Sequence, residues 1–252
     1  MIYIKDSEAI SKMSKAGFEL ATIFEDLVTY VKPGISTGVI DLYIAEQLKK
    51  RHLVSMTKGF MGYKHVSCIS LNDEVVHGIP SLDRIIQDSD LVKVDIVASW
   101  QGYAADMARA FCMPGLEDPR ILAMVKTAQK ALDAGIAASR EGVRLSNISA
   151  AIQEVVEDGG YGVVRDFAGH GIGKRMHEDP EILNYGKPGK GPVLRKGMAF
   201  AIEPMITVGN YDVFIDNDGW TAKTVDHSWA MHVEDTIVIT DGEPLIITRK
   251  VR

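Results

Sequence analysis

Two acidic residues interrupt apolar segments that would otherwise suit buried strands. Asp95 lies within Leu-Val-Lys-Val-Asp-Ile-Val-Ala, and Glu203 lies within Met-Ala-Phe-Ala-Ile-Glu-Pro-Met. An ionised carboxylate at a buried position is strongly unfavourable unless it pairs with a cation or binds a metal. Taken singly, each residue could instead lie at a solvent-exposed strand end or beside an arginine or lysine. Their chemistry therefore depends on the groups that share their surroundings.

Two further carboxylates occur in related positions. Asp106 lies on the return strand of a hairpin that begins with the segment of Asp95, and Glu234 lies in the last strand-like run. Four carboxylates that meet at one centre repel one another unless cations lie among them. They are more than one divalent ion requires, which favours two metal ions about 3.5–4 Å apart. The pattern predicts metal-assisted hydrolysis.

The candidate imidazole ligand is His170, which lies in the sequence Gly-His-Gly-Ile-Gly. The glycines let the backbone approach closely and leave the ring room to face a cleft. One imidazole among several carboxylates suits Mn²⁺, Fe²⁺, Co²⁺ or Zn²⁺. A phosphate-binding loop is the alternative, but the Lys-Ser/Thr that should follow it is missing. By composition alone, His77 and His177 could be either site residues or surface histidines.

The elements that must position these residues form two similar series. Periodicity and capping residues predict helices and strands in the same order in each half of the chain. The first series has helices over Ser7 to Tyr30 and from about Thr37, with strands over Val66 to Leu71, Leu91 to Ser99 and Tyr103 to Cys112. The second has helices over Pro119 to Ser139 and Ser146 to Asp158, with strands over Met198 to Val208 and Trp229 to Thr240.

The two series match when the chain is aligned with itself. With Asp95 placed on Glu203, the apolar positions of both helices coincide as well. Helical periodicities can align by chance, but two acidic residues within apolar strands are a more specific match. We predict an α+β fold of two fused αβ halves, about 1–115 and 116–252, related by a pseudo-twofold axis. Because no Gly/Ser/Pro-rich linker separates them, we expect residues 1–252 to form one domain.

Composition narrows the class of protein. The hydrophobic fraction of 46% and the charged fraction of 25% are those of an ordinary globular domain. With a net charge of -6 and no run of Lys or Arg, nucleic-acid binding is not expected. The first residues do not resemble a signal peptide, and no apolar stretch reaches the ~18 residues of a membrane span. Two cysteines, Cys68 and Cys112, give no disulfide framework and no glycine-rich nucleophile setting, so we expect a cytoplasmic protein.

With these residues in view, the chain resembles the type I methionine aminopeptidases of metallopeptidase family M24. These enzymes share the pita-bread fold with the Xaa-Pro aminopeptidases and prolidases. The likeness extends over nearly the whole chain and implies a curved antiparallel sheet covered by helices. It rests on Asn72 to Pro80, Val94-Asp95-Ile96, Gly102-Tyr103, Asp106, Gly169 to Gly173, Met176 to Pro180, Asn184-Tyr185-Gly186, Gly197-Met198, Ile202 to Met205, Trp220-Thr221 and Glu234.

The resemblance implies a role for each metal-binding residue. Asp106 and Glu234 would bridge two divalent ions, which would be cobalt, manganese, iron or zinc. Asp95 would bind one ion, and His170 and Glu203 would bind the other. A metal-activated water would then attack the first peptide bond.

The resemblance also implies three catalytic residues and a substrate pocket. Glu203 would accept and return the proton of the attacking water, His177 would hydrogen-bond the scissile carbonyl, and His77 would hold the substrate amide or the leaving nitrogen. The implied reaction removes the initiator methionine from nascent proteins whose second residue is small, by a monomer acting near the ribosome. The methionine side chain would lie against Tyr63, Cys68, Met176 and Trp220.

The chain departs from the resemblance at several positions. Thr57 stands where relatives often have cysteine, and Phe60-Met61 stands where they often have Tyr-His. Around Glu234 the chain reads His232-Val233-Glu234-Asp235, where relatives usually read Gln-x-Glu-His. In a strand, His232 faces the same side as Glu234, so we predict that it lines the site. There it would either add a pH-sensitive group or replace the hydrogen bond of the usual glutamine.

Two rival functions stay open. The sequence Glu234-Asp235-Thr236 is common among Xaa-Pro aminopeptidases and dipeptidases, although the extra N-terminal domain of those enzymes is not expected here. A non-catalytic binding protein of the same fold is the second rival. Such proteins lose metal ligands, whereas all five ligand positions are present in this chain.

Overall fold

Four helices cover one side of a large sheet in the computed structural model, which describes residues 1–250. The helices are α1 (Ser7–Tyr30), α2 (Thr37–Lys50), α3 (Pro119–Ala138) and α4 (Ser146–Asp158). The four predicted helices are therefore confirmed, with ends that agree to within about one residue. Among residues 1–250, none of the helices combines the length and apolar character that a membrane crossing requires.

Local sequence explains where α1 and α3 begin. The Asp6 side chain accepts a hydrogen bond from the Ala9 amide at 2.8 Å and caps α1. Asp118 caps α3 in the same way, and Pro119 occupies the first helical position, where its missing N–H has no intrahelical partner to lose. Each helix then turns a stripe of apolar residues toward the sheet.

Fifteen short and long strands are present in the part of the chain that the structure describes. They are β1 (Val54–Ser55), β2 (Cys68–Leu71), β3 (Glu74–Val76), β4 (Leu91–Trp100), β5 (Tyr103–Cys112), β6 (Gly162–Val163), β7 (Gly169–Gly171), β8 (Glu178–Ile182), β9 (Ala199–Ile202), β10 (Met205–Thr207), β11 (Val213–Ile215), β12 (Ala222–Thr224), β13 (Ala230–His232), β14 (Glu234–Val238) and β15 (Leu245–Ile246). Nine of them form one antiparallel sheet in the order β1-β4-β5-β14-β9-β7-β8, with β2 paired to β4 and β15 paired to β14.

The predicted hairpin is the longest feature of this sheet. Strands β4 and β5 pair without interruption from Leu91 opposite Cys112 to Trp100 opposite Tyr103. Strand β5 also pairs with β14, and β14 pairs with β9. The sheet therefore runs continuously from the first half of the chain into the second.

Two apolar cores lie between the helices and the sheet. The first, under α1 and α2, includes Phe24, Ile44 and Val94. The second, under α3 and α4, includes Leu132 and Ile152, which occupy equivalent positions in the self-alignment of the sequence. The similarity of the two halves is thus a similarity of two helix-on-sheet layers.

The structure corrects two of the predicted strands. The run from Met198 to Val208 is interrupted at Glu203-Pro204, and the run from Trp229 to Thr240 is interrupted at Val233. A proline has no amide hydrogen to give to a strand ladder, so pairing stops there. Strands β9 and β14 remain in the large sheet, whereas β10 and β13 pair in a separate three-stranded sheet. Both interruptions lie next to a predicted metal ligand.

One segment of the chain matches the sequence pattern around the nucleophile of serine hydrolases, and the structure gives its serine another role. The segment Gly34 to Gly38 fits Gly-x-Ser-x-Gly, the pattern of a nucleophile that follows a strand. Here Ser36 follows helix α1 and precedes α2, and its hydroxyl oxygen accepts a hydrogen bond from the Val39 amide at 3.2 Å. Ser36 is therefore a helix cap.

Candidate active site

Four of the five predicted metal ligands lie on four separate strands, the fifth directly follows another strand, and all five line one cavity. The β4–β5 hairpin contributes Asp95 and Asp106, and β7 contributes His170. Glu203 lies in the interruption after β9, and Glu234 is the first residue of β14. The Nε2 atom of His170 is 3.7 Å from an Asp106 oxygen and 3.6 Å from a Glu203 oxygen.

Two groups of potential ligands share one residue. Ligand atoms of Asp106, His170 and Glu234 lie within 4.8 Å of one another, as do those of Glu203, His232 and Glu234. A distance of this size suits donor atoms that surround a single ion. The shared residue, Glu234, is 1% exposed, so its carboxylate lies between the two groups and away from solvent.

Unpartnered oxygen atoms show that the residues fit metal ions. The Oδ1 atoms of Asp95 and Asp106 and the Oε1 atom of Glu234 are buried without a hydrogen-bond partner within the described chain. A buried carboxylate oxygen without a partner is strongly unfavourable. Carboxylates with one or two imidazoles are the ligand set that Mn²⁺, Fe²⁺, Co²⁺ and Zn²⁺ accept. Divalent ions would satisfy these oxygens.

Burial also shifts the pKa values of the ligands. It raises the pKa of Asp95 to about 6 and that of Glu203 to about 8. Burial, and then the neighbouring carboxylates, raise the pKa of Asp106 and of Glu234 well above their usual values. Burial lowers the pKa of His170 to about 3, so its ring is neutral and can donate a lone pair to a metal. The ionised cluster therefore requires positive charge.

The ligands lie at the bottom of a cavity of about 610 Å³. The predicted catalytic and substrate-binding residues line the same cavity, on walls that different strands and loops provide. These are His77, His177, Tyr63, Cys68, Met176 and Trp220. The residues that the sequence assigned to one site therefore line one cavity in the structure.

Two neutral histidines face this cavity. The ring centroid of His177 is 4.5 Å from that of His170, and the ring of His77 packs edge-on against Phe167 at 5.4 Å. Burial lowers the pKa of His77 to about 4 and also lowers the pKa of His177. A neutral imidazole carries one N–H donor, so each ring can donate one hydrogen bond to a substrate.

An apolar pocket adjoins the ligand cluster. The Tyr63 hydroxyl donates to the Ser67 carbonyl at 3.1 Å, which fixes the ring against Trp220 at a centroid distance of 4.9 Å. Cys68 is buried beside them. Sulfur and aromatic groups together suit an apolar, sulfur-bearing side chain.

His232 lies against the carboxylates of the ligand cluster, on the same side as Glu203 and Glu234. Its Nε2 atom lies 3.5 Å from a Glu203 oxygen and 3.9 Å from a Glu234 oxygen, but the residue is not among those that line the cavity. His232 ends β13, which belongs to the smaller sheet, so this ring comes from a different sheet than Glu234. Burial lowers its pKa to about 4, so the ring is neutral at neutral pH.

The other departure next to Glu234 has a structural role. Asp235 is fully buried and accepts hydrogen bonds from Arg109 at 2.6 Å, Arg249 at 2.6 Å and Thr248 at 2.7 Å. Because neighbouring residues in a strand face opposite sides, Asp235 points away from the ligand cluster.

Sequence reasoning missed several cavity residues. Phe167 packs on His77, and Arg175 and Glu178 also line the cavity. Phe167 lies three residues before His170 in the same glycine-rich segment, which was the available signal. Nothing in the local sequence indicated the inward position of the others.

Comparison with known proteins gives consistent results. A model of metallopeptidase family M24 matches residues 11–241. The methionine aminopeptidase of Clostridium acetobutylicum is 42% identical over 98% of this chain and 99% of its own length. Methionine aminopeptidase 1 of Bacillus subtilis is 39% identical over 99% of this chain and 100% of its own length. The solved structure of methionine aminopeptidase from Thermotoga maritima is 41% identical and covers 99% of this chain with a TM-score of 0.97.

The structural likeness confirms the predicted pita-bread fold, since almost every residue of the chain has a counterpart in that structure. The family match covers most of the chain, and the relatives match over nearly their full lengths. This chain therefore belongs to metallopeptidase family M24, among the methionine aminopeptidases.

Proposed function

We propose that this chain is a metal-dependent aminopeptidase that removes methionine from the N-termini of peptides and proteins. The observation that carries the proposal is the position of the ligand cluster directly beside a small apolar pocket within one cavity. A substrate whose first side chain fills the pocket presents its first peptide bond to the cluster. The full-length relatives, which are methionine aminopeptidases, support the same reaction.

Two divalent ions are part of the proposal. The residues that would hold them are Asp95, Asp106, His170, Glu203 and Glu234. The two ligand groups that share Glu234 support a pair of ion sites. The chemistry supplied by bound divalent ions is the acidification of water and the polarisation of a carbonyl oxygen. Cobalt, manganese, iron and zinc all suit the donor set.

The side chains of the cavity perform the proton transfer and hold the substrate. Glu203 accepts a proton from the attacking water and returns it to the leaving amine. His177 donates a hydrogen bond to the carbonyl oxygen as negative charge develops on it. His77 holds the substrate amide or the leaving nitrogen. The free α-amine of the substrate lies at the same end, near the ligand cluster, which restricts cleavage to the first residue.

The substrate is an N-terminal methionine followed by a small residue, as the resemblance implies. Its side chain contacts Tyr63, Cys68, Met176 and Trp220. We further propose that the protein acts on nascent chains in the cytoplasm, near the ribosome and as a monomer. Ribosome co-sedimentation would check the ribosome contact, and size-exclusion chromatography with light scattering would check the oligomeric state.

The Xaa-Pro alternative rested on Glu234-Asp235-Thr236. Asp235 points away from the cavity and is held by Arg109 and Arg249, so this sequence gives no preference for proline in the substrate. Thr236 donates to the Asp106 carbonyl at 2.8 Å and accepts from the Asp106 amide, so it holds two strands together. The methionine-specific function is the better supported of the two.

Peptide cleavage by metal-stripped protein tests the proposal. The protein is resupplied with Mn²⁺, Co²⁺ or Fe²⁺ and offered Met-Ala-Ser and Leu-Pro-Ser. We expect metal-dependent release of methionine from the first peptide alone. Release of leucine from the second would favour an Xaa-Pro peptidase. Metal binding by calorimetry without cleavage of either peptide would favour a non-catalytic protein.

A further inference from the structure

A buried ion pair joins Lys5 to Glu178, a residue of the cavity wall that carries His177. The Nζ atom of Lys5 is 2.9 Å from an Oε2 atom of Glu178, and the two side chains are 5% and 4% exposed. Lysine and glutamate are almost never buried to this extent unless they are paired. Glu178 directly follows His177 in the chain, and none of the catalytic roles described above uses it. The pair therefore needs its own explanation.

Glu178 closes the turn that contains His177. Its Oε1 atom accepts a hydrogen bond from the Arg175 amide at 3.2 Å, so both carboxylate oxygens are occupied, one by the turn and one by Lys5. A carboxylate in this arrangement fixes the backbone on both sides of His177. We call residues 173–178 the histidine segment.

The ion pair also packs on the start of the histidine segment. A Cβ atom at Gly173 would lie 2.7 Å from Lys5 Cε and 2.8 Å from Glu178 Oε1, so only glycine leaves room for the pair. The Gly173 carbonyl in turn accepts a hydrogen bond from the Ala104 amide of β5 at 2.7 Å. The histidine segment is thus held between the large sheet and Lys5.

Lys5 is fixed from the other side by its own backbone. Its amide donates to the Gly197 carbonyl at 2.7 Å, and its Nζ atom donates to the Tyr3 carbonyl at 3.1 Å. Gly197 has a φ of +84°, and a Cβ atom there would lie 2.7 Å from the Lys5 carbonyl oxygen. The ammonium therefore has a defined position that does not depend on Glu178.

The ring of His177 depends on its backbone for orientation. It packs edge-on against His170 and Phe60, contacts that permit rotation and sliding more readily than a hydrogen bond does. We propose that Lys5 is a positioning residue for the reaction, because its ammonium acts through Glu178 to hold the histidine segment and so directs His177 toward the substrate carbonyl. The inference rests on the proposed function. Lys5 itself does not line the cavity and does not touch the substrate.

The first experiment compares Lys5→Met with Lys12→Met, which removes a partly exposed lysine paired to Glu8 on α1. For cleavage of Met-Ala-Ser by the metal-loaded protein, we expect Lys5→Met to lower kcat by roughly 10–100-fold with little change in KM, because misplacement of a catalytic group by about 1 Å has an effect of that order. Lys12→Met should leave both values unchanged. Calorimetric Mn²⁺ binding to stripped Lys5→Met should match the wild type, since no ligand is altered.

Lys5→Met could also lower activity by destabilising the fold, because the substitution leaves the buried Glu178 carboxylate without a partner. The double variant Lys5→Met/Glu178→Gln removes both charges and keeps the acceptor for the Arg175 amide. If Lys5→Met is unstable, the double variant takes its place in every assay. A double variant with wild-type Tm and reduced kcat supports positioning, whereas recovery of both Tm and kcat would overturn it.

A mutant cycle identifies the residue through which Lys5 acts. If Lys5 works by directing His177, Lys5→Met has no further effect on kcat in a His177→Ala background. An equal fold-decrease in both backgrounds would overturn the proposal. Failure of the wild-type protein to cleave Met-Ala-Ser would instead reject the proposed function, and the outcomes are therefore distinguishable.

Discussion

At the scale of single residues, the ligand cluster combines burial with like charge. The carboxyl groups of Asp95, Asp106, Glu203 and Glu234 all have raised pKa values, and several of their oxygens have no partner among residues 1–250. Each residue could be accommodated alone as a protonated acid. Together they form a site in which divalent cations replace protons, which couples metal binding to pH.

Glu234→Gln should weaken metal binding more than any change at the cavity mouth. Glu234 belongs to both ligand groups, and the amide has no negative charge to offer. We expect Mn²⁺ affinity, measured by titration calorimetry at pH 7.5, to fall by at least about tenfold, the size of effect that even outer residues of a metal site can have. Glu181→Gln, the matched change at an exposed position of the same cavity, should leave the affinity unchanged. Equal affinities for both variants would contradict the ligand assignment.

His177→Ala should reduce catalysis without affecting metal binding. Removal of a hydrogen-bond donor to a developing oxyanion lowers kcat by roughly 10²–10³-fold. We expect a decrease of that order for Met-Ala-Ser, with unchanged Mn²⁺ affinity by calorimetry, because His177 belongs to neither ligand group. His227→Ala removes an exposed histidine and serves as the control. Loss of metal binding in His177→Ala would indicate that the residue is a ligand.

At the scale of elements, the β4–β5 hairpin presents Asp95 and Asp106 and also carries a fully buried lysine. The Lys93 ammonium donates to the carbonyl oxygens of Asn72 and Ala230, both at 2.9 Å. Asn72 lies in the turn between β2 and β3, and Ala230 begins β13. Lys93 therefore joins three elements that lead to site residues.

Lys93 should make stability depend on pH. Burial lowers its pKa from 10.5 to about 7, so between these values the unfolded chain binds a proton that the folded protein does not. Stability should therefore fall as the pH is lowered through this range, by at most about 1.4 kcal/mol per pH unit. Lys93→Met lacks this group. We expect the free energy of unfolding of the wild type, measured in urea on metal-free protein, to rise relative to that of the variant between pH 7.5 and 9.5. Parallel curves would contradict the prediction.

At the scale of the whole molecule, one continuous sheet joins the two halves of the chain. Strand β5 of the first half is hydrogen-bonded to β14 of the second, and ligands of the site come from both halves. We propose that the chain forms a single catalytic domain in which neither half is an independent unit.

Unfolding should therefore be a single event. Heating of metal-free protein, followed by circular dichroism and by tryptophan fluorescence, should give coincident transitions. A fragment of residues 1–115 should fail to fold cooperatively, because it exposes the β5 edge that β14 covers. Two separate transitions, or a cooperatively folding fragment, would show that the halves are independent.

Much of the site could be predicted from the sequence, for a definite reason. Asp95 and Glu203 stand out because each interrupts an apolar run, and burial of such groups requires a compensating cation. His170 stands out because of its glycines. The self-alignment of the chain indicated two similar halves, and the order of helices and strands followed from periodicity and capping residues.

Other features were decided by tertiary structure alone. The sequence could not show that the Glu203 and Glu234 strands break and divide between two sheets, nor that His232 lies 3.5 Å from a Glu203 oxygen. It also could not show that Asp235 pairs with two arginines, or that Lys5 pairs with Glu178 across most of the chain. Periodicity reports which face of an element is buried, whereas a partner distant in sequence is chosen only when the elements pack together.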